Sequence, residues 1–234
     1  MTVGNTWNAY YRTTMHRSPT DRSDHGRVRV AAVLLAAALS AIVTAACGLV
    51  SRSPSDDSAD AGFARDMATH HAQAVELGFI IRDVSTDERL RALAYDIIVT
   101  QAAQRGMFMG WLQQWGLAQA SSRPRMAWMP AMPAHMAGMS MESGASLMPG
   151  MATAAEIDQL RQATGKDAEI RFLQLMIRHH EGGVHMARAV LALSKREEVL
   201  AMARAIDTGQ TVEITLMKTM LAERGAQPAS SMFQ

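Results

Sequence analysis

Phe63-Ala64-Arg65-Asp66-Met67-Ala68-Thr69-His70-His71-Ala72-Gln73-Ala74-Val75 returns later in the chain as Phe172-Leu173-Gln174-Leu175-Met176-Ile177-Arg178-His179-His180-Glu181-Gly182-Gly183-Val184. Phe, Met, the His-His pair and Val recur at identical spacing, 109 residues apart. A residue pattern repeated at one offset marks an internal repeat. Further landmarks keep the offset: Ser85 and Ser194, Glu88 and Glu197, Gln101 and Gln210, Leu112 and Leu221, Gly116 and Gly225. The two halves are therefore expected to share one supersecondary unit.

That unit reads as a helical hairpin. Phe63, Met67, His70/His71, Ala74, Leu77 and Ile81 fall at helix spacing, and so do Leu90, Leu93, Ile97, Gln101, Phe108 and Leu112. Ser85-Thr86-Asp87-Glu88 has the spacing of a capping box and separates the two helices. Gly116 is placed to close the second helix. In the second half Thr153-Ala154-Ala155-Glu156 opens a short helix, which Gly165 ends. Asp167 then caps a long helix to Leu193, and Ser194-Lys195-Arg196-Glu197 repeats the box ahead of a last helix to Arg224. Two equal hairpins predict an all-α, four-helix bundle with approximate two-fold symmetry over residues 59–225. Composition agrees: aromatics are 5%, while Met numbers 19 and Ala is abundant, which suits helices better than strands.

Residues 1–29 form a polar, Arg-rich leader, and 30–50 an apolar run of 21 residues without a charge. Such a run is about 30 Å long as a helix, enough to span a bilayer. A basic flank before an apolar segment reads as an export signal or anchor, with the Arg-rich end cytoplasmic. The competing reading is a buried core helix. Thr44-Ala45-Ala46-Cys47 resembles a bacterial lipobox, in which Cys47 is lipidated; a lipoprotein and a single-span anchor both stay open. Residues 51–58 are a polar linker. The bundle is then expected on the extracytoplasmic side of the cell membrane.

The stretch 121–152 breaks the helical pattern with Pro124, Pro130, Pro133 and Pro149. It holds eight of the 19 methionines, among them Met132, Met136 and Met139, with His135 between them. Methionine is ordinary core filler, but a Pro/Gly-rich loop offers no core of its own. Thioether sulfur is a soft ligand that selects Cu(I). Copper capture, a Met-rich flap packed over the bundle, and a compositional accident are the three readings.

The symmetry of a duplicated hairpin can bring His70, His71, His179 and His180 together, with Met67 and Met176 one turn earlier. Imidazole nitrogen with thioether sulfur favours copper, and bundle interiors are where such sites are built. His185 adds a ligand in the second half alone, since Glu76 stands at its repeat position. Gly182-Gly183 inside a helix costs about 1 kcal/mol per Gly relative to Ala, which makes sense where something approaches closely. The competing reading keeps both His-His pairs for symmetric core packing. Four clustered imidazoles would repel when protonated, so the metal-free fold is expected to respond to pH near the reference value of about 6.5.

Other classes are excluded. A formal charge of +1 gives no basic surface for nucleic acid. One cysteine permits neither an internal disulfide nor a Cys-based zinc or iron–sulfur site. Di-iron bundles need Glu-x-x-His on two helices, and the His-His helices lack it. No nucleophile–base motif or phosphate loop is present, so an enzyme is not expected.

The doubled pattern resembles the bacterial domain-of-unknown-function 305 family. Phe63-Met67-His70-His71 carries the likeness, and so, more fully, do Asp167, Phe172-Leu173, Met176-Ile177, His179-His180, His185-Met186-Ala187, Gln210 and Glu213-Ile214. The first half departs from it where Gln104 replaces Glu. The resemblance implies a ferritin-like four-helix bundle and, for some members, exported copper binding with His and Met ligands. The expectation is therefore an extracytoplasmic, membrane-anchored copper protein, holding mainly Cu(I), for sequestration, handover and tolerance. A metal-free interaction bundle and a copper redox enzyme are the alternatives.

Overall fold

The structure is a computed structural model and describes residues 52–129 and 148–229. Among the described residues, five helices belong to the unit Ser53–Gln234. They are α1 (Ala59–Val84), α2 (Glu88–Gln114), the short α3 (Ala154–Gln162), α4 (Gly165–Leu193) and α5 (Glu197–Glu223). No strand occurs among the described residues. The predicted leader, the span 30–50 and Cys47 lie outside them. Among the described residues no helix is long and apolar enough to cross a membrane.

Antiparallel α1 and α2 form one hairpin and α4 and α5 the other, and the hairpins meet chiefly where α1 crosses α4. The offset of 109 appears in three dimensions as exchanged contacts. Ser85 Oγ donates to Glu169 Oε1 at 2.6 Å, and its repeat mate Ser194 donates to Asp60 Oδ1, the mate of Glu169. Each hairpin turn is thus tied to the start of the opposite hairpin. A second pair of mates has diverged. Arg224 bonds Asp87 at 2.7 Å at one end, whereas at the other Arg196 lies over the Trp115 ring, 5.2 Å from its centroid.

These ties explain where the capping expectation fails. Glu156 closes a true capping box with Thr153. Ser85 and Ser194 do not; their hydroxyls are taken by carboxylates of the other hairpin, and each accepts only from the residue two positions on. Asp87 is the N-cap of α2, accepting from Leu90 N at 3.0 Å. Arg196 and Thr164 precede α5 and α4 with no side-chain cap bond. Gly165 starts α4 rather than ending α3, and Asp167 pairs with Arg171 at 2.8 Å instead of capping. Gly116 closes α2 as expected, with φ of 71° just past the C-cap.

The core divides into two apolar halves that the repeat exchanges. One contains Leu77, Ile81, Leu90, Ile97, Phe172 and Met176, and the other their mates Met186, Val190, Val199, Ile206, Phe63 and Met67. Fully burying side chains of this size stabilises by about 1.5–3 kcal/mol each. The second half adds an edge-to-face contact of Phe63 with Phe108, 5.5 Å between centroids. Between the halves lies a polar layer: His70, His71, Gln101, His179, His180 and Gln210, all buried.

Candidate metal centre

The helical stripe places both His-His pairs inward, and the two-fold relation puts His70 against His179. Their ring centroids are 3.7 Å apart and the planes 33° from parallel. His71 faces α2 and His180 faces α5. His71 Nε2 lies 2.7 Å from Gln104 Oε1, and His180 Nε2 lies 2.7 Å from Glu213 Oε2. Gln104 and Glu213 are themselves repeat mates. His179 Nε2 is 3.2 Å from the His70 carbonyl oxygen.

His70 breaks the symmetry. Its Nε2 is 3.0 Å from the carbonyl oxygen of Pro149, at the downstream end of the methionine stretch. Residues 148–152 run as a strap over the α1–α4 crossing. Gln73 grips Ala152 from both sides, its Oε1 accepting from Ala152 N at 2.7 Å and its Nε2 donating to Ala152 O at 2.9 Å. Gly150, with φ of 77°, lies against the backbone of Arg178 and His179, where a Cβ would overlap. Gly182 leaves the room that the Pro149 carbonyl fills, and Gly183 the room that the Gln210 carboxamide fills. The close approach expected at this glycine pair is thereby explained.

Every imidazole Nε2 in the layer faces an oxygen acceptor, the arrangement in which Nε2 carries the proton and donates it. The lone pair is then on Nδ1. All four Nδ1 atoms, and both side-chain polar atoms of Gln101 and Gln210, are buried without a protein hydrogen-bond partner. Each such group costs about 1–3 kcal/mol when left unpaired. Burial also keeps His70, His71 and His179 neutral. Desolvation, assisted for His71 by the charge of His70, pushes His71 down to about 3, and it pushes His70 down to about 4 against the Pro149 bond. His179 is held well below the ordinary imidazole range, by desolvation first and then by His70 and His180. Mutual repulsion, the cause expected from the sequence, is thus second to burial. A metal ligand must be deprotonated, and these imidazoles meet that requirement.

Donor chemistry therefore suits a soft or borderline cation, but the rings are not arranged as a closed cage. Lone pairs lie in the ring plane, so the stacked His70 and His179 present theirs side by side, and one ring must turn to share an ion. Among the described residues no three His, Cys, Asp or Glu side chains are grouped to hold a metal. Met67 and Met176 are buried but pack in opposite apolar halves, flanking the layer. His185 is half-buried, about 140° round α4 from His180, and its pKa is lowered by burial and by Arg188. The structure does not bring it into the layer.

His135, Met132, Met136 and Met139 lie outside the described residues. The two ends of the methionine stretch are described, and they pack as a flap. Met148 is buried, and Met126, Met129 and Met151 rest on the Phe63 half. Asp66 fixes the upstream end, accepting from Met126 N and Trp128 Nε1, each at 2.8 Å. The expectation that these methionines lack a core to fill fails for these four. Gln101, Gln104, Gln210, Glu213 and Pro149 belong to the layer or its rim, and the sequence reading named them only as repeat landmarks, family positions or a helix breaker, not as site residues. The shared 109-residue offset of the two glutamines was the available signal.

The family model "Domain of unknown function (DUF305)" matches residues 60–221. The chain belongs to the DUF305 family. Among solved structures, a DUF305 putative secreted protein from Streptomyces coelicolor is 48% identical, covers 75% of this chain and 99% of its own, and superposes with a TM-score of 0.66. A DUF305 fragment from Deinococcus radiodurans is 33% identical over 70% of this chain and 96% of its own, with a TM-score of 0.57. CopM in its Cu(II)-bound form is 26% identical over 71% of this chain and 97% of its own, with a TM-score of 0.52. No curated protein matches the chain.

Proposed function

We propose that this DUF305 protein binds copper and serves in its sequestration or handover rather than in turnover. The observation that carries the reading is the buried layer of four imidazoles whose Nδ1 atoms have no protein partner. The likeness to CopM, described in a Cu(II)-bound form, supports it. In this reading His70, His71, His179 and His180 hold the ion in the interior. Met132, Met136, Met139 and His135 capture Cu(I) on the methionine stretch, because thioether donors favour the monovalent ion. Met67 and Met176 border the interior site, and His185 serves at the surface of α4. The apolar run 30–50, or lipidated Cys47, keeps the bundle at the outer side of the membrane.

An anaerobic Cu(I) titration against a coloured chelator tests this reading, with the parent compared to two variants. One carries His179→Gln and His180→Gln, and the other Met132, Met136 and Met139 changed to Leu. Loss of tight binding in the first assigns the interior, and loss in the second assigns the methionine stretch. A parent that binds no copper refutes the proposal. The four Nε2 bonds favour the competing reading, a metal-free bundle whose His-His pairs lock the crossing, and that outcome would leave it standing.

A further inference from the structure

The repeat permits a comparison of each interior position with its mate, and the two halves of the polar layer are not equivalent. In the first half, His71 Nε2 meets the neutral carboxamide of Gln104. In the second, His180 Nε2 meets the carboxylate of Glu213 at the same 2.7 Å. One turn along, Gln101 stands opposite Ala74 in the hairpin register, whereas Gln210 stands opposite Gly183. A Cβ at Gly183 would collide with Gln210 Oε1, so glycine there admits the carboxamide closer to α4. Gln210 is 4% exposed and neither of its side-chain polar atoms has a protein partner. Both departures favour a cation in the second half: one supplies a negative charge behind the imidazole, the other a buried amide oxygen beside it.

A carboxylate that accepts from the distal N–H of a ligating His fixes its tautomer, raises its basicity and compensates the charge of the ion. That compensation is larger for a dipositive ion than for a monopositive one. Resting on the reading that the layer binds copper, we infer that the interior is two diverged half-sites, and that Cu(II) is held by the half of His180 and Gln210. Glu213 acts there as a positioning residue. The half of His71, Gln101 and Gln104 is the weaker one.

Cu(II) titration of the full chain, followed by electron paramagnetic resonance, tests the assignment. Outer carboxylates of this kind are typically worth 10–100-fold in metal affinity. Glu213→Gln is expected to weaken Cu(II) binding by about that factor, and His71→Gln to weaken it less than His180→Gln does. The exchange variant, Glu213→Gln with Gln104→Glu, is expected to restore tight binding with an altered spectrum and to make His71 the sensitive residue. A merely structural Glu213 would give no such transfer. Equal losses from His71→Gln and His180→Gln, or Glu213→Gln binding within twofold of the parent, would overturn the inference and leave copper binding intact. A parent that takes up no Cu(II) would overturn it together with the proposed function.

Discussion

Glycine-to-alanine substitution inside α2 and α4 should have opposite signs at different positions, and the structure says which. At Gly106 an added Cβ meets nothing within 4 Å. Gly106→Ala therefore gains the ordinary helix preference, about 1 kcal/mol. At Gly182 the same methyl runs into the Pro149 carbonyl, with Gly150 N 2.9 Å away. These are backbone atoms and cannot rotate aside, so the strap must lift. The about 1 kcal/mol helix gain is then opposed by about 1–3 kcal/mol of overpacking. Lifting the strap also strands the His70 Nε2–H, about 1–3 kcal/mol more. The net is a destabilisation of about 1–5 kcal/mol. Each kcal/mol moves the melting temperature by about 2–4 °C in a chain of this size. Urea denaturation of both variants beside the parent measures the contrast. A Gly182→Ala protein as stable as the Gly106→Ala protein would refute the seating of the strap.

Acid should destabilise the metal-free protein. The folded-state values of His70 and His71, about 4 and about 3, lie below the unfolded value. The unfolded chain therefore binds more protons, and stability is full above about pH 6.5 and falls as pH drops toward 4. With His179 shifted the same way, the limiting slope is about 4 kcal/mol per pH unit. Denaturation midpoints flat between pH 7 and 4.5 would contradict this. Arg224→Ala strands Glu169 and Asp87, bonded at 2.8 and 2.7 Å, and should cost about 1.5–3 kcal/mol by urea denaturation. Trp128→Phe removes one of the two bonds to Asp66 and should cost about 1 kcal/mol while loosening the upstream methionine flap, read as faster proteolysis near residue 126. Copper at 100 times its dissociation constant should add about 2.7 kcal/mol of stability to the parent.

The hairpins were legible because Phe63, Met67 and Ile81 obey helix spacing and because a second copy repeats them. Burial of His70 and His179 was legible for the same reason. What was hidden is tertiary. Ser85 carries the spacing of a capping box, yet its hydroxyl goes to Glu169 in the other hairpin, and no local pattern records that competitor. Gln104 looked like a departure from the pattern, whereas in space its carboxamide oxygen stands at His71 Nε2 where the Glu213 carboxylate stands at His180 Nε2. Pro149-Gly150 read as helix-breaking loop, since nothing in its neighbourhood foretells that its carbonyl ends on a histidine 79 residues away.

The partner of His70 in the strap is a main-chain oxygen. A carbonyl is supplied by any residue, so the bond does not depend on which side chain stands at position 149, only on where the backbone runs. The junction thus works as a mechanical tether. Any displacement of Pro149 would change the hydrogen bonding of an interior imidazole with no message written in residue identity. Sequence is free to drift along most of the tether, while Gly150 and Gly182, which set its clearance, are the positions that a mutational survey should find intolerant.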